Sequence, residues 1–191
     1  MSDITNNKKV DTQINLGSQE GDINIGSKSR MSSRYKQLKK EVADNTKYDG
    51  TFDDLKYYLT NQDSIGLEKK LEDGNFSDKE ILRASRRKQR FHMKLTKTEF
   101  YESANWINTQ LFAKIITDFE NHVERPLIDK KATKDEILDA VLEHVVNPVI
   151  DLMNTEGADD LVMNYTTEDI YGMVYYLTGK CHINWKDYDS I

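Results

Sequence analysis

From Met31 to Leu177, apolar residues recur every three or four positions, the pattern of helices that each bury one face. Tyr35, Leu38 and Val42 share a stripe that Ser32 or Ser33 is placed to cap, and Leu55, Tyr58 and Leu59 share another behind Asp53. A short helix is predicted around Ile65 to Leu71, stopping at Asp73-Gly74. Ser77 and Glu80 have the spacing of a capping box, in which the hydroxyl accepts from the third backbone amide while the carboxylate reaches back. That box opens a helix to about Leu95 with Ile81, Ala84, Phe91 and Leu95 inward. The cleanest period follows in Phe100, Ala104, Ile107, Leu111, Ile115 and Phe119, predicting a core helix from about Glu99 to Val123 that Pro126 ends. Thr133 and Glu136 form a second box ahead of Ile137, Val141, Leu142 and Val145. Asn147-Pro148 then predicts a kink or a fresh helix, since proline is tolerated only in a first turn. Thr166 or Thr167 caps a last helix with Ile170, Met173, Val174 and Leu177 inward. Gly179 is its expected left-handed exit, and His182 to Trp185 an extended tail laid over neighbouring helices. The pattern as a whole predicts an all-α, multi-helix bundle.

Residues 1–30 break this pattern. They are rich in Asn, Asp, Ser and Gly and carry a repeat, Ile14-Asn15-Leu16-Gly17 and Ile23-Asn24-Ile25-Gly26. The alternation reads as two very short strands joined by a turn near Gly21. Strands this short are unstable alone. The segment is therefore expected to be a short β-hairpin-like or disordered tail, or an oligomerisation element in which copies stack their strands. The chain divides into this tail and a helical interaction domain over residues 31–191.

Composition narrows the class. With 37% hydrophobic against 31% charged residues, the chain suits a modest core under a heavily solvated surface. A single cysteine, Cys181, excludes an intrachain disulfide and fits a reducing, cytoplasmic setting. No apolar run approaches the roughly 20 residues that span a bilayer, and the first residues lack the apolar stretch of a secretion signal. The net charge of −6 is unevenly divided, +5 over residues 1–97 and −11 over residues 98–191. Such polarity favours oriented contact with a charged partner or with another copy, and opposes nucleic-acid binding by the whole chain.

Candidate chemistry is sparse. Arg83, Arg87, Arg90 and Lys94 recur on one helix face, where they could contact nucleic-acid phosphates or an acidic partner, or form a solvated face. Cys181 and His182 are adjacent, but neighbours in an extended segment point to opposite sides, which argues against a nucleophile–base pair. His92, His122, His144 and His182 are far apart in sequence, with no pair at the spacing of a helical metal site. No Gly-rich phosphate loop is present. No catalytic residue, metal or cofactor is expected. Tyr171 and Tyr175 lie four apart on one helix face and, with His182 and Trp185, form the candidate partner-binding patch; core packing is the plainer use of the same rings.

The stretch from about Leu55 to Trp185 resembles the helical C-terminal domain of effector proteins in ABC-three-component systems. The likeness is carried by Ile65 to Leu71, by Arg90-Phe91, by Pro148 to Ile150 and above all by Gly172 to Trp185. These systems are bacterial defence loci that pair an effector with an SMC-like ATPase and a middle component. The resemblance implies a protein–protein interaction module that couples effector to ATPase. Effectors of this kind carry an enzymatic domain in front, whereas some 50 residues precede the match here. The expectation is therefore an adaptor beside a separately encoded enzyme, with a small nucleic-acid-binding regulator as the alternative.

Overall fold

The computed structural model describes residues 29–48 and 53–188, and within them the chain is all helical, with no strand. The helices are α1 (Arg30–Ala43), α2 (Asp53–Leu59), α3 (Leu67–Asp73), α4 (Asp78–Thr98), α5 (Glu102–Phe119), α6 (Lys134–Ala140), α7 (Asn147–Glu156) and α8 (Thr167–Gly179). The hairpin and self-association readings of the tail fall on residues outside the described ones.

α5 is the hub. Ala104, Ile107, Leu111, Phe112, Ile115 and Phe119 are sealed from solvent, each large side chain contributing about 1.5–3 kcal/mol by its burial. Around it pack α1, α2, α7 and α8. α4 lies along α8 in antiparallel sense: Lys94 near the end of α4 meets Asp169 at the start of α8, and Lys88 reaches Gly179 at its end.

Several boundaries differ from the periodicity. Ser29, not Ser32 or Ser33, caps α1, its hydroxyl accepting from the Ser32 amide. α5 starts at Glu102, so Phe100 falls in the break after α4 and is half exposed. The buried Glu41 carboxylate caps α5 from α1, accepting from the Ser103 amide at 3.1 Å and its hydroxyl at 2.7 Å. Pro126 does not end the core helix. The helical path widens into a π turn over Glu120–Ile128 that contains it. The wider turn carries the carbonyl four residues back away from the proline ring, with which it would clash in an α-helix. A second π turn, Val141–Val146, leads directly into α7 with Pro148 in its first turn, so this site is a kink in one continuous path.

The helix ends share one device. After α1, α3, the first π turn and α8, one residue turns left-handed; its own amide bonds back five-to-two and the next amide six-to-one. In each case the left-handed residue is not glycine: Asn45, Asn75, Lys131 and Cys181 have φ of 49°, 62°, 61° and 70°. Gly179 is therefore the last helical residue of α8, and Cys181, two positions on, makes the left-handed exit.

Candidate interaction site at α8 and the tail

The residues from Asp169 to Trp185 occupy α8 and the segment that follows it. Thr166 caps α8 in a box with Asp169, whose carboxylate accepts from the Thr166 amide at 2.8 Å and hydroxyl at 2.7 Å. The same carboxylate, fully buried, accepts from the Lys94 ammonium at 2.8 Å and pairs with Arg90 at 3.3 Å. Burial pushes the Asp169 carboxyl up, but Lys94 and Thr166 outweigh it and hold it below its ordinary value. One residue earlier, Glu168 takes the Arg87 guanidinium as a two-point fork at 2.8 and 2.6 Å. Arg87 also lies over the Tyr171 ring at 4.6 Å, and its charge acts on the neighbouring Tyr175. Arg83 faces Glu168 from further off.

The basic stripe is thus committed within the chain. Arg87, Arg90 and Lys94 hold the acidic first turn of α8, where carboxylates also complement the helix dipole. The acidic partner expected for these cations is the chain's own α8.

The aromatic set is equally internal. Trp185 is 3% exposed and Tyr175 6%. Trp185 donates to the Thr178 hydroxyl at 3.0 Å, meets Phe76 and Phe119 edge-on and stacks on Tyr175. A Cβ on Gly74 would stand 2.8 Å from that of Trp185, so only glycine leaves room for this seat. Burial of Tyr175 and Trp185 corrects the expectation that they present a docking patch: each ring fills a slot between helices. Tyr171 stays half-buried under Arg87. His182 packs against the Tyr57 and Tyr58 rings of α2, and burial lowers its pKa.

The tail is pinned along its length. Lys70, fully buried, donates to Asn184 at 2.6 Å and to Asp63 at 3.1 Å. Tyr188 donates to Asp73, and the Cys181 thiol donates to Asp63. Burial and the Asp63 carboxylate both push that thiol up, opposite to the direction that activates a nucleophile. Cys181 and His182 diverge, one to the Asp63 loop and one to α2.

The region from α3 to Trp185 is therefore a closed unit, its two ends tied by Lys70–Asn184 and Gly74–Trp185. A family model described as C-terminal domain 9 of the ABC-three component (ABC-3C) systems matches residues 66–185. The chain belongs to that family. Comparison with curated proteins and with solved structures gives no match. The matched span of the C-terminal domain 9 fold begins at the α3 cap and ends at the buried tryptophan, so it takes in both sides of the tail lock.

Two features of the domain escaped the sequence reading. Asp169 is the hinge of the α4–α8 seam, and its signal was the Thr166-to-Asp169 spacing, a capping box with aspartate in the glutamate position. His122 and His144, remote in sequence, stack at 4.9 Å across the two π turns. Among the described residues no three His, Cys, Asp or Glu side chains come together as a metal site, and no helix is long and apolar enough to cross a membrane.

Proposed function

We propose that this chain is a non-enzymatic adaptor of a bacterial ABC-three-component defence system, coupling an effector to an SMC-like ATPase complex in the cytoplasm. The observation that carries the reading is the family match over residues 66–185. It is supported by how the domain uses its reactive side chains. Cys181 is held as a thiol on Asp63, His182 packs on tyrosines, and the arginines of α4 grip α8. Each serves to fix a rigid body, which suits a docking module. The partner face then lies on what the seam leaves open around α8, with Tyr171 at its edge rather than Tyr175 or Trp185 at its centre. Residues 1–30 add self-association.

The test is affinity purification of the tagged full chain, expressed together with its neighbouring genes. Recovery of an SMC-like ATPase, a middle component or a separate effector in comparable amount is expected. Recovery of the chain alone would end the adaptor reading. A hydrolytic activity abolished by Cys181→Ser would end its non-enzymatic part.

A further inference from the structure

A groove of about 720 Å³ opens between the first turn of α3, one flank of α4 and the end of α8. Ser85, Lys88 and His92 recur along α4 at three- and four-residue spacing, a flank distinct from the stripe that grips α8. Tyr176 lines the groove, with the His92 ring stacked on it at 5.7 Å and the Lys180 ammonium 5.8 Å from its centre. Tyr176 itself is buried beneath these neighbours, so the ring that the groove presents is that of the exposed His92, flanked by the two cations Lys88 and Lys180.

Most polar groups of this groove are uncommitted, unlike those of the seam. Among the described residues, neither Lys88 nor Lys180 has a carboxylate partner, and the side chains of Ser85 and Gln89 and the Tyr176 hydroxyl make no hydrogen bond. Lys88 lies over Gly179, its ammonium 3.0 Å from where a Cβ would stand, so part of its charge answers the carbonyl end of α8. That end carries only about half a negative charge. Glu68 is the single carboxylate of the lining and pairs with neither lysine, while Lys69 is taken up by Asp73. The groove is left positive and rich in free donors.

We infer that this groove binds an acidic segment of a partner protein, its carboxylates on Lys88 and Lys180 and an apolar side chain against the exposed His92 ring. A nucleic acid fits less well. Its phosphates run far beyond one groove, and they would meet a neighbouring stripe already neutralised by Glu168 and Asp169, carboxylates of the half that carries −11. A short peptide confines its charge to the positive pocket. The inference deepens the adaptor reading and rests on it for the partner's origin, not for the groove's chemistry.

The experiment titrates the labelled full chain with the peptide Glu-Leu-Glu-Glu-Phe and, separately, with a short oligothymidylate, reading backbone amide shifts. Saturable peptide binding that moves amides of residues 66–69, 85–92 and 176–180 is expected. It weakens roughly fivefold in K88Q/K180Q and tens of fold in K88E/K180E, as two surface ion pairs are lost and then reversed, and it falls with added salt. Circular dichroism checks that both variants keep the fold, and the glutamine pair serves if the glutamate pair does not. No saturable shift, binding indifferent to the lysine variants, or tighter binding of the oligothymidylate at the same sites overturns the inference. In the copurification, a partner retained equally by wild type and K88Q/K180Q also overturns the groove while leaving the adaptor intact. If wild type recovers no partner, the adaptor fails and the titration alone decides the groove.

Discussion

Replacing Gly172 by alanine sets two effects of opposite sign against each other. Gly172 lies inside α8, where alanine is a better helix former by about 1 kcal/mol. Propensity alone therefore predicts stabilisation. The packing predicts the reverse. A Cβ at this position would stand 2.6 Å from the Arg87 carbonyl oxygen and 2.7 Å from the Phe91 Cβ. Ordinary contact needs about 3.5–4.0 Å between carbons, so α4 and α8 must separate by close to 1 Å. The obstacle is backbone, which no rotamer change can clear. Separation loosens the whole seam, where Phe91 meets Tyr176 and Phe112 edge-on and Arg87 forks onto Glu168. A gap of 0.5–1 Å forfeits a quarter to a half of the dispersion energy of each contact it opens. Overpacking of this kind costs typically 1–3 kcal/mol; against a backbone obstacle the upper part of that range applies. The net effect is a destabilisation of about 2 kcal/mol after the propensity gain. For a chain of this size that lowers Tm by roughly 4–8 °C. Gly179→Ala is the internal control, because its nearest neighbour is the flexible tip of Lys88, which swings aside. Its effect should be neutral or a gain of up to about 1 kcal/mol. Thermal and urea unfolding of both variants measures the difference. A Gly172→Ala protein as stable as Gly179→Ala would refute the close crossing of α4 and α8.

Lys131 sits exposed in the left-handed region, so Lys131→Gly should stabilise by about 0.5–1 kcal/mol despite removing a side chain; a lower urea midpoint would contradict the assigned helix end. Asp169→Asn keeps the capping acceptor but removes the charge that Arg90 and Lys94 share. Both cations reach solvent, so the loss should be about 1–3 kcal/mol, below that of a fully enclosed pair, and urea unfolding within error of wild type would show that the pairs are idle. Glu80 accepts from the Ser77 hydroxyl and amide and from Lys134, which together hold its pKa at about 2 against an ordinary 4.5. A depressed carboxyl stabilises above its unfolded value and loses that contribution as pH falls through the folded one. Tm should therefore drop between pH 4.5 and about 2 in wild type, with a shallower drop in Glu80→Gln; equal slopes would reject the assignment.

The helices were legible because their signals are local. Capping boxes at Ser77 and Thr133 lie within four residues, and the period of α5 from Ala104 to Phe119 needs nothing beyond α5 itself. What failed depended on contacts made far along the chain. Phe100 continues the period by position, yet Glu41 caps α5 from 62 residues away and fixes its start beyond it. Pro126 breaks an α-helix, but a π turn accommodates it, and sequence spacing cannot tell the two turns apart. Tyr175 and Trp185 carry the same pattern whether they face a partner or each other. Only the glycine at 74, which leaves space for Trp185, decides for the interior.

Charge shows the same division between local and distant information. A positive N-terminal half and a negative C-terminal half imply attraction, and the sequence does not say between which bodies. In the fold the attraction is closed at the α4–α8 seam, where Arg87, Arg90 and Lys94 meet Glu168 and Asp169. Buried or forked pairs of this kind are held through salt far better than exposed ones, so the seam adds rigidity and little long-range field. The cations that can still steer a partner are those the seam does not use. Lys88 falls one residue from Arg87 in sequence, yet one step of about 100° around α4 turns it from the seam to the groove. The groove charge therefore depends on α4 register: a slip of one residue that carried Lys88 to the place of Arg87 would bring the uncharged Gln89 to the place of Lys88, and the groove would lose a cation.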